Sequence, residues 1–221
     1  MKKQACAILT ILLAGCAAMA VVDGAIQPGY AVKSAVKLLL FLGLPLLWSR
    51  RAGVSLRPLF ARPRQGLGLA LLTGAGVFAV VFGGFLLTRG IFDFSRLTAT
   101  LTAGTGVNRQ NFPFVALYIS LVNSLLEEFF FRGFGFLLLR RFLPQPAALP
   151  LSCLAFALYH VAMTLGWYAL PVQLLTLTGL AAGGWIFCRL DQRSGSIWLS
   201  WIVHLGANLA TNAVGFLLFA A

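Results

Sequence analysis

Acidic residues are scarce in this 221-residue chain: Asp and Glu together number 5 and His 2, against 17 Lys and Arg. Charged residues make up 10% and hydrophobic residues 60%, whereas soluble domains carry ~25% and ~45–50%. That shortage of charge excludes a soluble single domain. In a soluble protein a net charge of +12 would suggest nucleic acid. Here the bases flank apolar segments instead of forming a stripe, which is the pattern of membrane topology. Cysteine is sparse as well. Cys6, Cys16, Cys153 and Cys188 form no C-x-x-C pair and lie in or beside apolar segments. They read as small packing residues, without a redox or zinc–thiolate role. No segment repeats at a fixed period, so nothing supports a transporter built on inverted repeats.

What the chain does have is long apolar runs. A spanning helix needs ~20 mostly apolar residues, and stretches at about 5–22, 31–48, 66–87, 112–139, 147–165, 168–188 and 197–219 supply them. The expected fold class is all-α: a single integral membrane domain over 1–221, a polytopic transmembrane helix bundle of seven to eight helices with a buried polar cavity. The fourth stretch is ~42 Å long at helical rise, and a break at Gly133 and Gly135 would raise the count to eight. Gly179-x-x-x-Gly183, Gly74/Gly76 and Gly83/Gly84 predict close helix crossings. With the N-terminus cytoplasmic, Lys2, Lys3, the five Arg of 50–64, Arg140, Arg141, Arg189 and Arg193 lie inside. Only Lys33, Lys37, Arg89, Arg96 and Arg109 then lie outside, a bias that favours this orientation. The 88–111 segment becomes the longest external loop. Lys2 and Lys3 ahead of Leu13-Ala14-Gly15-Cys16 resemble a bacterial lipoprotein signal, with Cys16 as the residue to be lipidated. The apolar run continues through Val22, however, so a first transmembrane helix is expected, in a bacterial inner (plasma) membrane.

The few acids fall into two groups. Asp23, Asp93 and Asp191 read as loop or span-end charges. Glu127 and Glu128 lie in the middle of the apolar run 112–139, with Arg132 a turn further on. An ionised group at a helix centre costs ~2.5–3.5 kcal/mol, so such a cluster must pair or face water. Glu128 and Arg132 are i,i+4 and share a face; Arg132 is expected to hold Glu128 ionised. Glu127 is roughly 140° from Arg132 around the helix, above Asn123 and near Ser120. With no helical base beside it, Glu127 is expected to exchange a proton more freely. Phe156 precedes His160 by one turn and Thr164 follows it. His204, Asn208, Thr211 and Asn212 make one polar stripe at i, i+4, i+7 and i+8. By position, Glu127, His160 and His204 all lie ~10–20 Å deep.

A carboxylate and an imidazole can polarise water as general base, while a second imidazole with an amide can donate to a developing oxyanion. Glu and two His also make a zinc-ligand set, although H-E-x-x-H is lacking. Two non-hydrolytic roles suit the same residues: a membrane scaffold or immunity protein that keeps a buried ion pair for shape, and a proton-coupled carrier.

Glu127-Glu128-x-x-x-Arg132, Phe156-x-x-x-His160 and His204-x-x-x-Asn208, in that order on separate helices, resemble the three motifs of the CPBP intramembrane proteases. These are the CAAX protease and bacteriocin-processing enzymes, also called Abi. The likeness covers a catalytic core of about 112–219; residues 1–111 resemble the family only as apolar spans. It implies an intramembrane glutamic endopeptidase that hydrolyses a peptide bond of a membrane-associated protein or peptide. Glu127 and His160 would activate water, and His204 and Asn208 would stabilise the oxyanion. Glu128, Arg132 and Phe156 would support them. The resemblance implies no cofactor in its glutamate form; a zinc-dependent form would use Glu127, His160 and His204 as ligands. The implied partners are the lipid bilayer and a substrate entering from it, not nucleic acid. Prenylated CAAX-like proteins, bacteriocin-type peptides and C-terminal sorting signals are the substrate classes that go with it.

Overall fold

The computed structural model describes residues 2–164 and 166–220, and among them every regular element is helical. Seven helices are long and apolar enough to cross a membrane: α1 (Lys2–Ile26), α2 (Tyr30–Ala52), α3 (Leu67–Thr88), α5 (Phe112–Arg141), α6 (Pro146–Thr164), α7 (Leu170–Ser194) and α8 (Trp198–Ala220). They reproduce the seven apolar stretches of the sequence. Residue 165, the expected end of one span, lies outside the described residues, as do 1 and 221. The 88–111 segment is not a plain loop, because it contains α4 (Ser95–Thr105).

The fourth stretch does not break. From Phe112 to Arg141 the chain stays helical, with i→i+5 turns at Ile119–Asn123 and Glu128–Leu138. Gly133 and Gly135 let neighbours come close instead: a β-carbon there would lie 3.2 Å from Leu59 and 3.1 Å from Leu12. Every residue from Leu126 to Leu139 is buried. A helix apolar all round belongs in the middle of a bundle, and α5 occupies that place. Around it Phe41 stacks on Phe130 with ring centroids 3.9 Å apart, and Phe131 meets Phe156 edge-on at 5.3 Å. Leu72, Val80 and Leu87 turn outward, as they should where lipid is the solvent and only the interior can satisfy polar groups.

The α1 helix buries Ala5, Ile8, Leu12, Gly15 and Met19, a stripe at helical spacing that packs toward α5 and α6. Cys16 is half-buried beside that stripe.

Only one of the glycine expectations survives. Gly206 of α8 sits directly on the backbone of Gly74 in α3, so close that a β-carbon at 206 would overlap it. Gly76, Gly83, Gly84, Gly179 and Gly183 face open space. The close approach on α7 is at Gly184, where a β-carbon would meet Cys153 and Arg132. Small-residue spacing marks which faces can pack closely, but helix rotation decides which do.

One aspartate departs from its sequence reading. Asp191 is fully buried, not an edge charge: its Oδ1 accepts from the Ser200 backbone N–H at 3.1 Å and its Oδ2 from the Ser200 hydroxyl at 2.7 Å. The left-handed Gly195 (φ 74°) ends α7 and turns the chain into α8, so the last turn of one helix caps the first turn of the next. N–H groups in a helix's first turn have no partner within that helix. Replacing Asp191 by Ala should therefore destabilise the protein by about 1–3 kcal/mol, with Asp191→Asn milder because one acceptor remains. Thermal unfolding in detergent micelles measures the difference. Asp23 is the span-end charge expected: it lies in the wide turn that ends α1, half-buried, with its carboxylate ion-paired to Lys33 at 2.6 Å.

Candidate active site

The site is assembled where α5 faces α2, α6 and α8. Glu127 and Glu128 lie at the junction of the two wide-turn segments of α5. Such segments interrupt an otherwise regular helix and recur at functional sites. Glu127, Glu128, Arg132, His160 and His204 are all buried.

His204 connects the two carboxylates. Its Nδ1 lies 2.7 Å from Glu128 Oε1, and its Nε2 lies 3.7 Å from Glu127 Oε2. Because a carboxylate only accepts, the hydrogen bond to Glu128 places a proton on Nδ1 and turns Nε2 toward Glu127. His160 is held the same way by its own helix: Nδ1 donates to the Phe156 carbonyl at 2.7 Å, which leaves Nε2 free. Thr164 donates to the His160 carbonyl at 2.7 Å and accepts from Gln173 Nε2 at 2.7 Å, tying α6 to α7 below the imidazole. Both histidines lie within electrostatic reach of Glu127.

Phe156 is more than a wall for His160. Its ring meets His160 edge-on at 4.7 Å and His204 at 6.0 Å, while the Arg132 guanidinium lies 3.8 Å from its centroid. Phe187 of α7 stacks on His204 at 5.6 Å and also lies 4.8 Å from Arg132. These two rings hold the guanidinium and fix the imidazoles at once. The expected Glu128–Arg132 brace exists as an ion pair at 3.4 Å, with both side chains fully buried. Glu128's nearer partner is His204.

Lys37 overturns the expectation that no base stands beside Glu127. It is not an external loop charge but a buried residue of α2, whose Nζ lies 2.5 Å from Glu127 Oε1 and 2.6 Å from Asn123 Oδ1. Asn123 Nδ2 also donates to Glu127 Oε1, at 3.1 Å. One oxygen of Glu127 is thus doubly held, and the other faces His204. Spacing along one helix could not show a partner on another. The signal that could have found Lys37 was its own position within the apolar run 31–48, the same oddity that singled out the glutamates.

The α8 stripe is brought to α5, where it grips the wide turn. Asn208 Nδ2 donates to the Ile119 carbonyl at 3.1 Å, and Asn212 Nδ2 donates to the Ala116 carbonyl at 3.1 Å and to Ser120 Oγ at 2.9 Å. Thr211 is exposed and bonds back to its own helix at Asn208. Trp201 Nε1 donates to Ser124 Oγ at 3.0 Å, a further α8–α5 contact that sequence reasoning did not single out.

Among the described residues no three His, Cys, Asp or Glu side chains are grouped as metal ligands. Glu127 Oε1 is taken by Lys37 and His204 Nδ1 by Glu128.

Residues 109–210 match the family model described as type II CAAX prenyl endopeptidase Rce1-like. That stretch contains Glu127, Glu128, Arg132, Phe156, His160, His204 and Asn208. No curated protein and no solved structure matches the chain.

Proposed function

We propose, from the premise that residues 109–210 are a domain of the CAAX-protease (CPBP) family, that this integral membrane protein is an endopeptidase whose reaction runs through Glu127. The single observation that carries the reading is the convergence of both histidines of the chain on one intramembrane glutamate, with His204 Nε2 3.7 Å from Glu127 Oε2.

In this reading Glu127, with the free Nε2 of His160, takes a proton from water that attacks the peptide carbonyl. The oxyanion that develops is stabilised by the second N–H of Asn208, whose first is spent on Ile119, and by His204 Nε2 in the form of the ring that carries a proton on both nitrogens, Nδ1–H being spent on Glu128. Glu128 accepts from His204 Nδ1 and fixes the ring's orientation, and Arg132 pairs with Glu128. As the intermediate collapses the C–N bond breaks, and the proton held by Glu127 passes to the leaving amine. No metal enters this scheme, and cleavage is expected to survive treatment of the purified protein with a chelator.

Access follows from burial. Asn123 and Asn208 are the half-buried members of the group, and Leu121, Val122 and Leu209 beside them are exposed. A peptide therefore approaches from lipid between α5 and α8 and meets a polar pocket that opens as the helices part. The basic flanks put the N-terminus on the cytoplasmic side of a bacterial inner membrane. The chain acts as one unit, with its catalytic core at about 112–219.

A scaffold or a proton carrier would keep its activity without peptide cleavage. The membrane proteomes of cells carrying the wild type and Glu127→Ala separate these readings. New peptide termini that need Glu127 support the protease; identical termini with wild-type levels of the variant overturn it.

A further inference from the structure

Lys37 lies on α2, outside the stretch that matches the protease family. It is 4% exposed, and its ammonium is framed by the Phe41 and Tyr159 rings at 5.4 and 5.0 Å. A buried ammonium survives only with full compensation. It finds it in Glu127 Oε1 and Asn123 Oδ1, at 2.5 and 2.6 Å. A pair kept only to orient two helices could use either carboxylate oxygen. Here both partners that hold Glu127 converge on Oε1, since Asn123 Nδ2 also donates to it. Oε2 is left to His204.

We infer that Lys37 is a positioning residue of the proposed hydrolase: it pins Oε1 of Glu127 so that Oε2, facing His204, is the oxygen that accepts the proton of water. The inference rests on the endopeptidase reading and deepens it. It also gives the N-terminal helices a place in the active site.

Charged groups approach Glu127 from every side. Lys37 comes from α2, with Lys33 one turn before it and Asp23 of α1 paired to Lys33; His160 comes from α6, His204 from α8, and Glu128 and Arg132 from α5 itself. Lys37 is the only one of them in hydrogen-bond contact with Oε1. Removing it leaves a buried carboxylate whose Oε1 keeps only the Asn123 amide as donor, and such a group takes up a proton. A protonated Glu127 cannot act as base. An arginine in its place restores charge, but its planar fork engages both oxygens and competes for Oε2.

The test uses the full-length protein in lipid nanodiscs. An infrared difference spectrum, wild type minus Glu127→Gln, isolates the Glu127 side chain without any substrate. At neutral pH the wild type is expected to show carboxylate bands, and Lys37→Met the protonated carboxyl band. Kinetics on an internally quenched, S-farnesylated CAAX peptide in liposomes should show kcat down about 10²-fold in Lys37→Met, with KM within about twofold. Lys37→Arg should recover part of kcat and keep the carboxylate bands. A merely structural ion pair would leave kcat of a folded Lys37→Met protein at the wild-type value, and that result overturns the inference. A protonated Glu127 in the wild type at neutral pH overturns it too, and needs no variant that folds. Failure of the endopeptidase reading looks different: the wild type would yield no peptide product whatever the Lys37 spectra show.

Discussion

Glu127→Gln is expected to lower peptide cleavage by about 10²–10⁴-fold, the range that a positioned general base contributes. The amide is nearly the same size as the carboxylate, and its oxygen can still accept from Lys37 and Asn123. The substitution therefore removes the base while leaving most of the packing in place. The loss should appear in kcat, with KM little changed, because the interaction removed is one made during the chemical step. His204→Gln should fall in the same range by a different route, since it breaks the contacts to both carboxylates. Glu128→Gln separates support from chemistry. It retains an acceptor for His204 but leaves Arg132 buried without its counter-charge, so the larger change should be in thermal stability. Turnover within about twofold of wild type in Glu127→Gln would remove this residue, and the glutamate mechanism, from the reaction; a wild type that cleaves no peptide would remove the protease reading.

Gly206→Val should be the most damaging single change outside the site. At Gly206 a β-carbon would meet the backbone of Gly74, not the end of a side chain that can rotate away. Overpacking usually costs about 1–3 kcal/mol. Here relief requires the two helix axes of α3 and α8 to separate, so the cost should reach or exceed the top of that range. Separation would also pull α8 away from α5, and with it His204 from Glu128 and Asn208 from Ile119. The measurable result is loss of monodisperse, folded protein on extraction and a lower thermal midpoint. Gly179→Ala and Gly183→Ala are the controls. Both positions face open space, and each should stay within about 0.5 kcal/mol of wild type. Equal damage at all three sites would mean that glycine acts through the flexibility of the helices and not through this contact.

Pairing offsets part of the cost of so many buried ions, although the Arg132 guanidinium makes no hydrogen bond among the described residues. Lys37 is matched to Glu127 and Arg132 to Glu128, while aromatic faces cover both cations. The wide turns of α5 bring the matched groups into line. The first of them is held by Asn208 and Asn212, which read the backbone carbonyls at Ile119 and Ala116. The polar stripe of α8 thus serves both the helix contact and the chemistry proposed here.

Much of this was legible in the residues alone. Seven apolar runs imply seven spans because the bilayer demands a fixed length of helix, and the seven helices begin and end close to those runs. The meeting of Glu127, Glu128, Arg132, His160 and His204 could be expected because lone charges at membrane depth are too costly to remain apart. Spacing along α5 predicted the Glu128–Arg132 pair, since both lie on one helix. What local spacing does not contain is the rotation and tilt of one helix against another. Those decided that Lys37 meets Glu127, that His204 stands between the two glutamates, and that Asp191 caps α8. They also decided that Gly206 and Gly74 touch while Gly179 and Gly183 do not. The scarcity of acids therefore marked where chemistry could be, because charge in lipid must be compensated. Only the packing of whole helices chose which base compensates which acid, because that choice depends on contacts between residues far apart in the chain.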